Sequence, residues 1–265
     1  MGVIVLFLSF FVFIFVGSPI ALALGGSALI YIVLFANVSP LIVMQQILAS
    51  VNTYTLLAVP FFIMAGALME TGGISKRIVS FCQALVGHFT GGLALVVVLA
   101  SVFFAAMTGS GVAACAAVGG IMIPMMVKNG YHSDFACALQ ATSGIFGPLI
   151  PPSIVMVLYA VYANQSVRTM MMAGVGPGLM QAAMVCILAV WICHRRGYAG
   201  VGSFSMKRLL KEFGSSFWAL LAPVIILGGI YSGVVTTTEV ACVSVIYALI
   251  VSVFIYKTVE VRKIF

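Results

Sequence analysis

The chain is a succession of apolar runs, from Val3–Val16 near one end to Val240–Tyr256 near the other, parted by short clusters of glycine, proline and hydroxyl residues. Hydrophobic residues fill 63% of the 265 positions and charged residues 6%. Soluble domains carry roughly 25% charged residues, so a water-exposed globule built from this chain would present its apolar residues in large patches. That excludes a soluble globular enzyme and a disordered chain. The net charge of +7 would ordinarily invite a nucleic-acid partner, but no basic stripe supports one. The solvent that fits this sequence is lipid.

A membrane-spanning helix needs about 20 apolar residues. Val3–Val16 is short but apolar and lacks the positive stretch of a signal peptide, so it reads as a retained span. Gly17-Ser18-Pro19 parts it from Ile20–Ala36, and Asn37–Tyr54 suits an interfacial segment. Thr55–Met69 is a further span, ended by Glu70-Thr71-Gly72-Gly73. Gly92–Met107 and Val112–Val127 follow, joined only by Thr108-Gly109-Ser110-Gly111. Phe135–Gly144 and Ile154–Tyr162 read as half-length helices, and Gly178–Cys193, Phe217–Gly233 and Val240–Tyr256 as full spans. Two segments differ. Ile74, Ile78, Phe81 and Leu85 recur at helical spacing beside Lys76 and Arg77, and Met206, Leu209, Leu210, Phe213 and Phe217 do so among Lys207, Arg208 and Lys211. Both predict amphipathic helices lying in the interface.

Counting each span as a crossing puts eleven of the twelve Lys and Arg residues on one side, Arg262 and Lys263 included, and Arg168 alone on the other. The basic side is then the cytoplasm and the N-terminus lies outside. On that count a repeat starting at Phe217 runs opposite to the first. Each start is an apolar span, a small-residue turn (Gly17-Ser18-Pro19 or Thr236-Thr237-Thr238) and a second span. Inverted repeats mark secondary transporters.

Two places could carry chemistry. A tip as small as Thr108–Gly111 can sit inside the membrane if protein or a water-filled cavity surrounds it. There its carbonyls and the Thr108 and Ser110 hydroxyls suit a desolvated Na⁺, and the free N–H groups opening the next helix suit an anion. The same four residues also fit a tight turn at the outer surface, with glycines for close helix packing. The second place is Gly144–Ser153. Pro148, Pro151 and Pro152 bar a continuous helix there, leaving one helix's carbonyls and another's N–H groups facing the break. Discontinuous helices of this kind bind ions and substrate carboxylates in transporters; a kinked packing helix is the plainer alternative.

None of the five acidic residues, Glu70, Asp134, Glu212, Glu239 and Glu260, lies mid-span. A carboxylate proton relay is therefore not expected, which favours Na⁺ over H⁺ as coupling ion. Glu239 follows Thr236 by three residues, the pattern of a capping box. Arg168 fits either an interfacial anchor or a contact with an external partner. The six cysteines stand singly in apolar stretches, without zinc or disulfide spacing. No nucleophile–base pair, phosphate loop or metal signature points to catalysis or a resident cofactor.

Several stretches resemble one family closely. Pro60–Gly66, Ala105–Ala113, Ile123-Pro124, Gly147–Ser153 and Ala222–Tyr231 are similar to the large permease subunit of tripartite ATP-independent periplasmic (TRAP) transporters, the DctM type. Thr108 and Thr237 depart mildly from the Ser and Pro usual in that family. The resemblance implies an all-α integral membrane protein of the bacterial inner membrane with an elevator-type fold of inverted repeats. It further implies Na⁺ symport of an organic acid such as a C4-dicarboxylate, with a small four-helix permease subunit and a periplasmic substrate-binding protein as partners. Under it, residues 1–73 are scaffold helices, 74–89 an amphipathic arm, and 90–195 a transport half-domain. That half-domain comprises a re-entrant hairpin (90–127), a broken helix (135–162) and a span (178–193). Residues 196–216 are a second arm and 217–265 the first two spans of a second repeat. Family members complete that repeat, so the chain is expected to be an N-terminal portion. The Na⁺ ligands implied are Thr108, Gly109, Ser110, Gly144, Gly147, Ile150 and Pro151. Ser110, Gly111, Pro152 and Ser153 would face the substrate. Two other readings stay open: a dicarboxylate symporter that needs no binding protein, and a membrane fragment without transport activity.

Overall fold

The computed structural model describes residues 2–36, 38–202 and 204–258, and every regular element among them is helical. Glu260, Arg262 and Lys263, used above, lie outside the described residues. The chain divides into two compact units, parting after Thr53. The first holds α1 (Gly2–Phe15), α2 (Ile20–Phe35) and α3 (Leu41–Val51). Helices α1 and α2 pair antiparallel, with Gly2 against Tyr31 and Phe35 and the Phe13 ring against Gly26. With 14 residues, α1 is about 21 Å long, shorter than a hydrocarbon core of roughly 30 Å.

In the second unit the 3₁₀ turn Tyr54–Leu57 leads into α4 (Ala58–Thr71). Then come α5 (Ile74–Val86), α6 (Gly92–Thr108), α7 (Gly111–Lys128), α8 (Ser133–Gly144), the single turn α9 (Phe146–Leu149) and α10 (Ile154–Tyr162). Helices α11 (Val167–Arg196), α12 (Met206–Ser232) and α13 (Thr237–Ile250) complete it, the last running into a π-helical turn at Val251–Ile255. Among the described residues five helical segments are long and apolar enough to cross a membrane, or six if the bent pair formed by α8–α9 and α10 counts as one span.

Helix α6 is the axis of this unit. Thirteen of its seventeen residues are buried, because α5, α7, α8 and α11 surround it. A helix apolar on every side lies in a protein core or spans a membrane, and the burial of α6 makes it the core of this unit. Helix α11 behaves oppositely. Met180, Met184, Ile187, Leu188 and Trp191 are each more than half exposed, an apolar stripe at helical spacing that only lipid or another apolar surface can cover.

Three sequence expectations need correcting. The span expected at Gly178–Cys193 begins eleven residues earlier and runs through Pro177. Proline is tolerated inside membrane helices because neighbouring groups satisfy the carbonyl it frees. The arm at 196–216 and the span after it are not separate helices from Met206 onward, since α12 is continuous over 27 residues. Nothing between Phe213 and Phe217 breaks the helical hydrogen bonding, so the amphipathic and apolar patterns share one rod. In α5 the buried face is Ile74, Ile78, Val79 and Cys82, while Leu85 at 36% exposure lies outside it. Packing on both α6 and α12 turns the helix away from the stripe read from spacing alone.

The capping box is present. The Thr236 hydroxyl accepts from the Glu239 N–H at 3.3 Å, and the Thr236 N–H donates to the Glu239 carboxylate at 2.7 Å. Thr236→Ala is expected to cost about 1 kcal/mol and Thr236→Ser almost nothing, checked by thermal unfolding in detergent. Equal loss in both variants would contradict this capping role.

Candidate functional site

The four-residue turn between α6 and α7 meets the break between α8 and α10, backbone against backbone. Gly109 ends α6 in the left-handed conformation, φ +62°, with its N–H donating to the Ala105 carbonyl at 2.9 Å. A side chain is disfavoured there by conformation and by space, since a Cβ would collide with the Pro152 carbonyl oxygen. The Gly109 carbonyl accepts from the Ile154 N–H at 3.4 Å, which joins the end of α6 to the start of α10. Gly111 opens α7 directly beneath the Gly144 carbonyl, and a Cβ on Gly147 would strike the Gly111 nitrogen and the Ser110 carbonyl carbon. Four glycines thus make a seam no bulkier residue could form.

The hydroxyls of this region are already organised. Thr108, 1% exposed, donates to the Phe104 carbonyl at 3.1 Å and accepts from the Ser110 N–H at 3.4 Å. Ser110 caps α7 by accepting from the Ala113 N–H at 3.3 Å. Ser153, wholly buried, donates to the Pro148 carbonyl at 2.7 Å and accepts from the Met156 N–H at 3.3 Å. One serine therefore spans the break and caps the helix beyond it. Carbonyl ends of α6 and α8 and N–H ends of α7 and α10 converge on one locus, pairing partial negative and partial positive charge within it.

Of the residues singled out from sequence, Thr108, Gly109, Ser110 and Gly111 lie on one side of the seam, and Gly144, Gly147, Pro152 and Ser153 on the other. Ile150 and Pro151 contribute their side chains elsewhere, to a separate apolar cavity of about 290 Å³ that Phe103, Leu179, Pro223 and Tyr231 also line.

Three participants were not singled out for the site. Gly66 of α4 lies against Thr108, where a Cβ would stand 3.0 Å from the threonine methyl. Cys115 packs on Gly144 and donates to the Gln140 carbonyl at 3.5 Å. Gln140, 2% exposed, links both hairpin helices through its amide nitrogen, 3.4 Å from the Ser101 hydroxyl and 3.4 Å from the Ala114 carbonyl. Its Oε1 is buried without a partner. A lone glutamine inside the apolar run Phe135–Gly144 was the available signal, because a buried amide needs partners that the hairpin supplies. Gln140→Leu is expected to cost about 1 kcal/mol, the two lost hydrogen bonds being offset in part by removal of the unpartnered Oε1, read as a lowered unfolding temperature. Unaltered stability would show that those contacts hold nothing together.

Beside the turn lies a cavity of about 150 Å³, lined by Ile63, Gly66, Ala67 and Glu70 of α4 with Thr108, Ser110 and Ala113. The α4 residues follow the i, i+3, i+4, i+7 pattern of one helix face.

Residues 7–265 match the family model described as "Tripartite ATP-independent periplasmic transporter, DctM component". Among curated relatives, the chain is 44% identical over 259 residues to the C4-dicarboxylate TRAP transporter large permease protein DctM of Vibrio cholerae serotype O1, covering 97% of this chain and 57% of that protein. It is 40% identical over 249 residues to the sialic acid TRAP transporter large permease protein SiaM of the same organism, covering 94% and 58%. It is 39% identical over 254 residues to the isethionate TRAP transporter permease protein DctMQ of Oleidesulfovibrio alaskensis, covering 96% and 40%. The chain therefore spans well under two thirds of the length of these relatives.

Proposed function

The chain belongs to the DctM family of TRAP transporter large permeases, and from that premise we propose that it forms the hairpin-bearing half of a Na⁺-coupled importer of organic acids. The observation that carries this reading is the seam between the Thr108–Gly111 turn and the Gly144–Ser153 break. Backbone carbonyls and hydroxyls gathered at broken helices inside a membrane protein suit a hard, desolvated cation. The N–H ends of α7 and α10 at the same locus suit the anionic group of a substrate. The relatives' printed names specify a dicarboxylate, sialic acid and isethionate, chemically diverse molecules that share an acidic group. An acidic group is what helix N-termini select, and the rest of the molecule is what they ignore.

In this account Thr108, Gly109, Ser110, Gly144 and Gly147 hold Na⁺, with Ile150 and Pro151 contributing through their carbonyls. Ser110, Gly111, Pro152 and Ser153 face the substrate, Ser153 chiefly by fixing the N-terminus of α10. A periplasmic binding protein delivers the acid, and a small four-helix permease subunit completes the complex. The complex sits in the inner membrane with the basic loops cytoplasmic.

The test is uptake of a labelled organic acid by proteoliposomes containing the intact transporter of which this chain is part, with its binding protein supplied. Ser110→Ala is expected to raise the Na⁺ concentration needed for half-maximal uptake several-fold. Its stability should fall only by the loss of one helix cap, about 1 kcal/mol. Na⁺-independent uptake, or an unaltered Na⁺ requirement in Ser110→Ala, would overturn the assignment.

A further inference from the structure

The outward face of α11 is apolar over several turns and then turns basic. Met184, Ile187, Leu188, Trp191 and Ile192 recur at the three- and four-residue spacings of one helix face, and the same spacings lead on to Arg195 and Arg196. All but the part-buried Ile192 are exposed. From Met184 to Arg196 the helix rises about 18 Å, close to half of a hydrocarbon core of roughly 30 Å. The apolar face is therefore one leaflet deep, with its charge at the edge that carries the basic loops.

Both arginines are held in place by aromatic rings. The Arg195 Cζ lies over the Trp191 ring, 4.6 Å from its centroid, and the Arg196 Cζ lies over the Phe135 ring of α8 at 5.7 Å. Contact with a ring occupies the flat face of a guanidinium and leaves its edge N–H groups for an oxygen anion. Arg196 and Ile192 also line a cleft of about 500 Å³ between α11 and the start of α8, with His132, Asp134, Phe135 and Ala138. That is the liquid volume of roughly seventeen waters, room for a headgroup rather than a bare ion. Asp134 is the acidic group of the lining and accepts from the Ser133 hydroxyl at 3.2 Å. Two adjacent arginines outweigh its charge, and the N-terminal end of α8 adds partial positive charge to the same cleft.

We propose that this face and cleft bind one anionic phospholipid, its phosphate on Arg195 and Arg196 and its tails along Met184–Ile192. A soluble anion would leave the apolar face uncovered, and a neutral lipid would leave the paired arginines without a counter-charge. Basic pockets between membrane helices are where anionic headgroups bind. The site lies at the opposite end of α8 from Gly144 and does not depend on the Na⁺ reading of the seam.

The measurement is native mass spectrometry of the purified intact transporter that contains this chain, titrated with dioleoyl phosphatidylglycerol or dioleoyl phosphatidylcholine. The wild type is expected to bind its first phosphatidylglycerol about tenfold or more tighter than its first phosphatidylcholine. Arg195→Gln/Arg196→Gln should weaken phosphatidylglycerol about ten- to thirtyfold, the scale of two basic residues at an anionic lipid, and leave phosphatidylcholine unchanged. Arg195→Lys/Arg196→Lys should stay within about threefold of the wild type, because a point charge still serves a phosphate. Lys207→Gln/Arg208→Gln, which removes as much charge from the start of α12, should bind as the wild type does. Equal affinity of the wild type for both lipids, or no retained lipid because another part of the transporter covers α11, overturns the proposal without any variant. Equal losses in the two Gln pairs also overturn it, by reducing the arginines to general surface charge. So does displacement of the bound lipid by an equal concentration of glycerol 3-phosphate, which would make this a site for a soluble anion.

Discussion

Gly147→Ala is expected to abolish most Na⁺-dependent uptake and to lower stability, although it adds a single methyl group. That methyl would clash with the Gly111 nitrogen and stand 2.6 Å from the Ser110 carbonyl carbon and 2.7 Å from the Gly111 Cα. All three are backbone atoms, so no rotamer change can make room, and α9 must move away from the turn. Inserting one methylene into a well-packed site typically costs about 1–3 kcal/mol, and a backbone-on-backbone clash belongs at the upper end. If that cost falls on the ion-holding arrangement, each 1.4 kcal/mol is a tenfold loss of affinity. Gly120→Ala is the control. It lies in α7, the helix that Gly111 opens, but a Cβ there meets nothing within 4 Å. It should be tolerated or stabilise the helix by up to about 1 kcal/mol. Uptake and thermal unfolding measured on both variants test the seam directly, and equal effects of the two substitutions would contradict it.

Ser153→Ala is the second large expectation. The hydroxyl it deletes serves two groups, the Pro148 carbonyl and the Met156 N–H, and the residue is wholly buried. Water cannot readily replace it, and each orphaned buried polar group costs about 1–3 kcal/mol. A loss of roughly 2–4 kcal/mol in unfolding free energy is therefore expected. Ser153→Gly sharpens the reading, since glycine is nearly as good as serine at an N-cap yet cannot span the break. If spanning the break matters, Ser153→Gly should resemble Ser153→Ala. If only capping matters, it should resemble the wild type.

Much of this architecture was legible because lipid imposes simple rules. Apolar runs and their glycine or proline stops located α2, α6, α7 and α10 to within a residue or two of their observed ends, and Ile154–Tyr162 at both ends. The capping box at Thr236 was readable because its two partners are three residues apart and local in the chain. Local signals misled where a breaker was overridden. The span expected at Gly178–Cys193 starts just after Pro177, yet α11 begins at Val167 and passes through that proline. The amphipathic start of α12 looked like a separate arm, yet it continues into the apolar span without a turn.

The site itself was legible only in halves. The turn and the break each announced themselves by composition, small residues in one and prolines in the other. Their meeting joins residues more than thirty positions apart, such as Gly111 with Gly144 and Gly109 with Pro152. Those contacts involve backbone atoms, and backbone atoms leave no residue-specific trace beyond the presence of glycine. The resemblance to TRAP permeases supplied the expectation of a joint site; spacing alone could not. Glu70 was read as part of a helix stop, because nothing in sequence places it beside Thr108 and Ser110.

The seam is proposed to hold a cation. Saturable ²²Na⁺ binding by the purified intact transporter, compared among wild type, Gly147→Ala and Gly120→Ala, tests it most directly. Gly147→Ala is expected to lose about tenfold or more in affinity, while Gly120→Ala binds as the wild type does. Undiminished binding by folded Gly147→Ala would place the cation elsewhere and contradict the assignment of the seam.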